Sequence, residues 1–167
     1  MKAYAAILAL LFAGLYPAIA ADPQAVEVRF GELSKFSDLR MSILRTERDS
    51  ASLAEELARH LEHAATPRLP PGTRLAVTIT DVDMAGEYPP VSGSLSNDVR
   101  VIKDVYPPRI DLDFTLVSAD GSVLRQGHRK LRDGGFLLGA NPLTRDRLVH
   151  EKGLLDLWLR SELGPQR

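Results

Sequence analysis

Apolar and polar residues alternate with a period of two over Val26-Glu27-Val28-Arg29-Phe30, and Gly31 closes the run, which predicts a first strand with one buried face. From Ser52 the period changes. Leu53, Leu57 and Leu61 recur at helical spacing beside Ala54, Ala58 and Ala65, and Ser52 with Glu55 gives a capping-box signature, so a helix is predicted from Ser52 to a stop at Pro67. Pro70-Pro71-Gly72 turns the chain, and Leu75, Val77 and Ile79 alternate with Ala76, Thr78 and Thr80 as a second strand whose apolar face carries odd numbers. Glycine, proline, serine and asparagine crowd the stretch from Ala85 to Asp98, a long loop, after which Val99, Val101 and Val105 mark a short strand ahead of Tyr106-Pro107-Pro108. Ile110, Leu112, Phe114 and Leu116 then alternate with Asp111, Asp113 and Thr115. Asp120-Gly121 is a hairpin turn, and the returning strand from Val123 to Leu131 is polar enough to lie at an edge.

Asn141-Pro142 and Gly164-Pro165 bracket a final helix of about 20 residues. Leu148, Leu154, Leu155, Trp158 and Leu159 fall in one arc of it. Arg147 and Glu151 lie in the same arc and are expected to be paired and shielded, with a partner from the Arg132-Asp133 region. The order β, α, β, β, β, β, α predicts an α+β fold, an antiparallel sheet of about four or five strands with two helices packed on one face. The expected core is Val26, Val28, Phe30, Leu53, Leu57, Leu61, Leu75, Val77, Ile79, Ile110, Leu112, Phe114, Leu116, Leu155, Trp158 and Leu159.

Residues 1–20 change the picture of where this domain works. Lys2, the apolar run Ala3 to Leu15, Pro17 and the small residues Ala18-Ile19-Ala20 form the pattern of a cleaved secretory signal peptide, too short to span hydrocarbon. This leaves residues 21–167 as a single globular domain, periplasmic or secreted, with no membrane span after cleavage. Of the 21 basic residues one lies in the leader, so the exported chain carries 20 basic against 22 acidic side chains, a balance that argues against nucleic acid as a partner. The absence of cysteine removes disulfides, thiolate metal sites, redox centres and cysteine nucleophiles together.

Little else in the sequence asks for chemistry. Asp81, Asp83 and Glu87 are hard oxygen donors close in sequence, the weaker alternative of a divalent-cation or hydrolase site. Aligned on a calcium loop they fail, because Ala85 and Ser92 stand where that loop needs carboxylates, and pairing of the aspartates with Arg100, Arg109 or Arg132 is the favoured reading. His60 and His63 are too closely spaced for a zinc motif, His128 and His150 have no partner at a recognisable spacing, and nucleophile elbows and phosphate loops are missing. No catalytic residue, resident metal or cofactor is therefore assigned.

Several ordered motifs together carry a resemblance: Asp81-Val82-Asp83-Met84-Ala85-Gly86-Glu87, Asp98-Val99-Arg100-Val101, Asp104-Val105-Tyr106-Pro107-Pro108-Arg109-Ile110, Leu131-Arg132-Asp133 and Glu151-Lys152-Gly153-Leu154-Leu155-Asp156-Leu157-Trp158. Over about Val26 to Leu163 the chain resembles domain-of-unknown-function family 3016, small exported bacterial proteins with no established activity. Met84 stands where that family leads us to expect leucine, and Leu157 where it leads us to expect a second acidic residue. The resemblance implies export and a single domain. The function expected is thus a noncatalytic binding or accessory module of the bacterial envelope, meeting an envelope protein or component through the loop from Met84 to Asp98 and the Tyr106-Pro107-Pro108 edge. Its candidate binding residues are Glu87, Tyr88, Arg100, Asp104, Tyr106 and Arg109.

Overall fold

The computed structural model describes residues 24–38, 47–87, 100–138 and 144–165. The expected leader, Tyr88, most of the loop between Ala85 and Asp98, Val99 and the Asn141-Pro142 pair lie outside the described residues. The elements run β1 (Val26–Phe30), α1 (Glu47–Ala65), β2 (Arg74–Asp83), β3 (Arg109–Val117), β4 (Val123–Arg132) and α2 (Val149–Leu163). They form an α+β fold with one sheet in the order β1-β2-β3-β4.

The β2–β3 and β3–β4 pairs are antiparallel, but β1 lies parallel to β2, in register from Val26 opposite Leu75 to Phe30 opposite Ile79. The sheet is therefore mixed. The reason is the connection: α1 separates β1 from β2, and a strand, helix, strand crossover returns the chain in the same direction. Around Val101 the described residues form no full strand, only a bridge between Glu87 and Val101.

Period-two alternation sets the buried face. Leu75, Val77 and Ile79 of β2 and Ile110, Leu112, Phe114 and Leu116 of β3 all point inward. Both helices supply side chains to the same core cluster: Leu53, Ala54, Leu57 and Leu61 from α1, and Leu154, Leu155, Trp158 and Leu159 from α2. The Trp158 ring meets Phe114 edge-on, centroids 5.6 Å apart. All the expected core residues are buried except Val28 and Phe30, which are half-covered because β1 is an edge strand.

Both helices differ from the expected boundaries. α1 begins at Glu47, so Ser52 is an exposed interior position and not a cap, while Ser50 is buried in the face shared with Leu53, Leu57 and Leu61. Its far end is closed by side chains: Thr66 Oγ1 donates to the Glu62 carbonyl at 2.7 Å, and the buried Arg68 guanidinium donates to the Ala64 carbonyl. α2 is 15 residues, beginning at Val149, and ends at Gly164 with φ 86°, a left-handed position suited to glycine. Arg147 therefore precedes the helix. It is half exposed and lies 4.0 Å from Glu56 on α1, so the expected pairing of Arg147 with Glu151 is not made.

A register shift between Ile79 and Asp81 changes which side of β2 faces the core. Beyond it Val82 and Met84 are buried, and Asp81 and Asp83 move to the opposite face. The odd-numbered face predicted for the whole strand holds only as far as Ile79.

Candidate binding site

At the end of the sheet where β2 finishes and β3 begins, three short segments are tied together. Gly86, with φ 84°, donates its N–H to the Tyr106 carbonyl at 2.9 Å, and Glu87 and Val101 exchange backbone hydrogen bonds of 3.0 and 2.8 Å. No side chain fits at position 86, because a Cβ there would lie 2.5 Å from the Val101 carbonyl oxygen. Pro107 and Pro108 are buried, so they anchor the entry into β3 and do not form the exposed edge expected of them.

Arg100 locks this arrangement to α2. Its Nε donates to the Ala85 carbonyl and its Nη2 reaches Glu151 Oε1 at 3.1 Å, while the same carboxylate oxygen accepts the Ala85 N–H at 2.8 Å. Glu151 is fully buried and the Arg100 side chain is 12% exposed. A charge so placed is tolerated only with a partner, and here one guanidinium and one backbone amide serve it. His150 lies beside this pair, edge-on to Phe136 with centroids 4.8 Å apart. Burial pushes its pKa down, Glu151 opposes that shift, and the Arg100 cation reinforces it.

Outside the lock the segment presents apolar surface: Val101, Ile102, Val105 and Tyr106 are 36%, 40%, 64% and 40% exposed. Charged groups hold its shape. Lys103 pairs with Glu87 and sits 5.9 Å from the centre of the Tyr106 ring, and those two side chains, Lys103 first, hold the Glu87 carboxyl below its ordinary pKa.

The structure sorts the residues proposed from sequence. Glu87, Asp104 and Tyr106 belong to this segment, with Asp104 exposed. Arg100 belongs to its foundation and is withdrawn from solvent, and Arg109 pairs with Asp83 at 3.0 Å. Val101, Ile102 and Val105 were not singled out as binding residues. Their signal was the unbroken Val101-Ile102 pair, since adjacent apolar residues of an extended segment point to opposite sides and cannot share one core face.

The aspartates are used as structural acceptors. Asp81 takes the Ser37 N–H at 2.6 Å and its hydroxyl at 2.8 Å, and Asp38 takes the Met84 N–H at 2.8 Å, joining the chain after β1 to the end of β2. Burial raises the Asp83 pKa against the pull of Arg109, with Asp38 and Asp81 adding to the rise. Glu87 is engaged separately by Lys103, and no group of three metal-binding side chains converges among the described residues. The histidines are likewise engaged: His60 meets Asp156 at 3.0 Å between the helices and His128 meets Asp113 at 2.9 Å, whereas His63 is exposed.

Among the described residues no helix is long and apolar enough to cross a membrane. No curated protein and no solved structure matches the chain. A family described as proteins of unknown function, DUF3016, matches over residues 24–161, which takes in every strand of the sheet and most of α2. That span, with the Arg100–Glu151 lock inside it, makes this chain a member of the DUF3016 family.

Proposed function

We propose that this protein is a noncatalytic binding module, exported to the periplasm or beyond with cleavage before Ala21, and that it engages an envelope protein through the segment from Val101 to Tyr106. The observation that carries this reading is the pairing of exposed apolar side chains at Val101, Ile102, Val105 and Tyr106 with a buried ionic lock beneath them. A fixed apolar strip loses little conformational freedom on association, which favours its use as a recognition surface. Asp81, Asp83 and Glu87 are each held by separate partners, so the cation-dependent alternative gains no support from their arrangement.

A photo-crosslinking residue at position 105, expressed in the native host, tests the proposal. A discrete crosslinked protein that is absent with the probe at exposed Arg59 and is lost when Ile102→Asp is added to a normally folded chain supports it. A crosslinking pattern identical at positions 105 and 59 overturns it. N-terminal sequencing of the protein recovered from the periplasm tests export, with Ala21 the expected first residue.

A further inference from the structure

Among the described residues β4 is a free edge of the sheet. It is ten residues long, and no described segment hydrogen-bonds to its outer side. The other edge, β1, is half that length, five residues, and carries its own Glu27–Arg29 ion pair. β4 is unlike it in charge: from Val123 to Arg132 it contains Arg125, His128, Arg129, Lys130 and Arg132 and no acidic residue.

The register divides these side chains. Arg125 and Arg129 lie opposite Leu116 and Leu112, on the helix side, where both reach Glu162 of α2 and Arg129 also lies 4.9 Å from the centre of the Phe114 ring. His128, Lys130 and Arg132 form a row on the other face, which neither α1 nor α2 covers. His128 has Asp113, and Lys130 is 76% exposed with Asp111 only at 3.9 Å. Arg132 stands directly opposite Arg109, and no carboxylate among the described residues pairs with it. Arg109 has Asp83 at 3.0 Å, so Arg132 is the cation of this corner that gains from an added anion.

We propose that β4 accepts an extended acidic peptide as a fifth strand, with carboxylates at every second position opposite His128, Lys130 and Arg132. Period-two spacing follows from the pleat, and backbone hydrogen bonds to the free edge supply the affinity that side chains then make selective. A second copy of this chain is the poorer occupant, because two β4 strands brought edge to edge oppose cation to cation. Exposed Val123 and Leu124 extend the surface at the other end of the strand, where apolar residues of the peptide would lie.

The test uses a fluorescein-labelled peptide of alternating threonine and glutamate, ten residues long to match β4. A peptide of the same composition, all threonine followed by all glutamate, serves as the control. Anisotropy is expected to show saturable binding of the alternating peptide, about tenfold weaker binding of the block peptide, and about tenfold weaker binding of the alternating peptide to Lys130→Glu/Arg132→Glu protein. Methylation of alternate backbone nitrogens, placed on the side that would face β4, is expected to abolish binding. Should the double variant fail to fold, Lys130→Gln, at an exposed position, is expected to weaken binding about threefold. No binding of the alternating peptide, equal binding of both peptides, or affinity indifferent to Lys130 overturns the proposal, the second outcome leaving only general polyanion attraction.

Discussion

Arg100 and Glu151, 51 residues apart in sequence, meet at 3.1 Å with the carboxylate fully buried and the guanidinium nearly so, and through the Ala85 backbone they fasten the chain between β2 and β3 to the first turn of α2. The two members of the pair are unequally exposed, and their removal should be unequal too. Arg100→Ala strands a buried carboxylate and is expected to cost about 3–5 kcal/mol. Glu151→Gln retains an acceptor for the Ala85 N–H and leaves a guanidinium that can turn toward water, so its cost should be smaller, though above about 1 kcal/mol. Urea unfolding of both variants checks the order. A loss below about 1 kcal/mol for Arg100→Ala would show that the pair is not structural.

Gly86→Ala is expected to detach the Val101 segment without unfolding the domain. A left-handed φ costs an alanine about 1–2 kcal/mol, and the new methyl meets the Val101 carbonyl oxygen at 2.5 Å. Amide hydrogen exchange should therefore accelerate at Glu87 and Val101 while Val77 and Leu112 remain protected. Unchanged exchange at Val101 would contradict the close approach.

Stability should fall as pH drops below about 6.5, and His150 should be one cause. Burial holds its folded pKa below the ordinary value of 6.5, so between the folded and unfolded values the unfolded chain binds the extra proton. Stability is full above the unfolded pKa and is lost as pH falls through that interval. His150→Phe, which keeps a ring against Phe136, is expected to flatten the profile there, with thermal midpoints at closely spaced pH values as the measure. A profile with the same slope in wild type and variant would remove His150 from the account.

Leu112 is fully buried at the centre of β3 and belongs to the core shared by both helices. Leu112→Ala is expected to cost about 2–5 kcal/mol, whereas Leu157→Ala, on the exposed side of α2, should change stability by no more than about 0.5 kcal/mol. Denaturation midpoints that move equally for the two would overturn the assignment of β3's buried face.

Removing the hairpin's aspartate should act locally. Hydrogen bonds from the Ser118 hydroxyl and from Ser122 lower the Asp120 pKa to about 2, so its contribution is present above the ordinary value of 3.8 and disappears as pH falls through about 2. In Asp120→Ala, exchange at the Ser122 amide, which donates to that carboxylate at 2.9 Å, should become fast at neutral pH. Continued protection there would show that the side chain does not organise the turn.

By itself the sequence determined strands β1 to β4, most of the core and the α+β class, because these rest on local periodicity: Ile110 to Leu116 can bury one face only as a strand, and Leu53, Leu57 and Leu61 share one side only in a helix, whereas the spacing of Val99, Val101 and Val105 overstated a bridge as a strand. It also marked Asp104 and Tyr106 within the segment that is exposed at the sheet end, and Glu87, which bridges to that segment at Val101. Tertiary structure decided the rest. The parallel pairing of β1 depends on where α1 delivers the chain, the change of face at Asp81 depends on a register shift against β3, and Arg100 became a foundation residue because Glu151 lies opposite it. These are relations between segments far apart in the chain, and neither the period nor the spacing of either segment encodes its distance from the other.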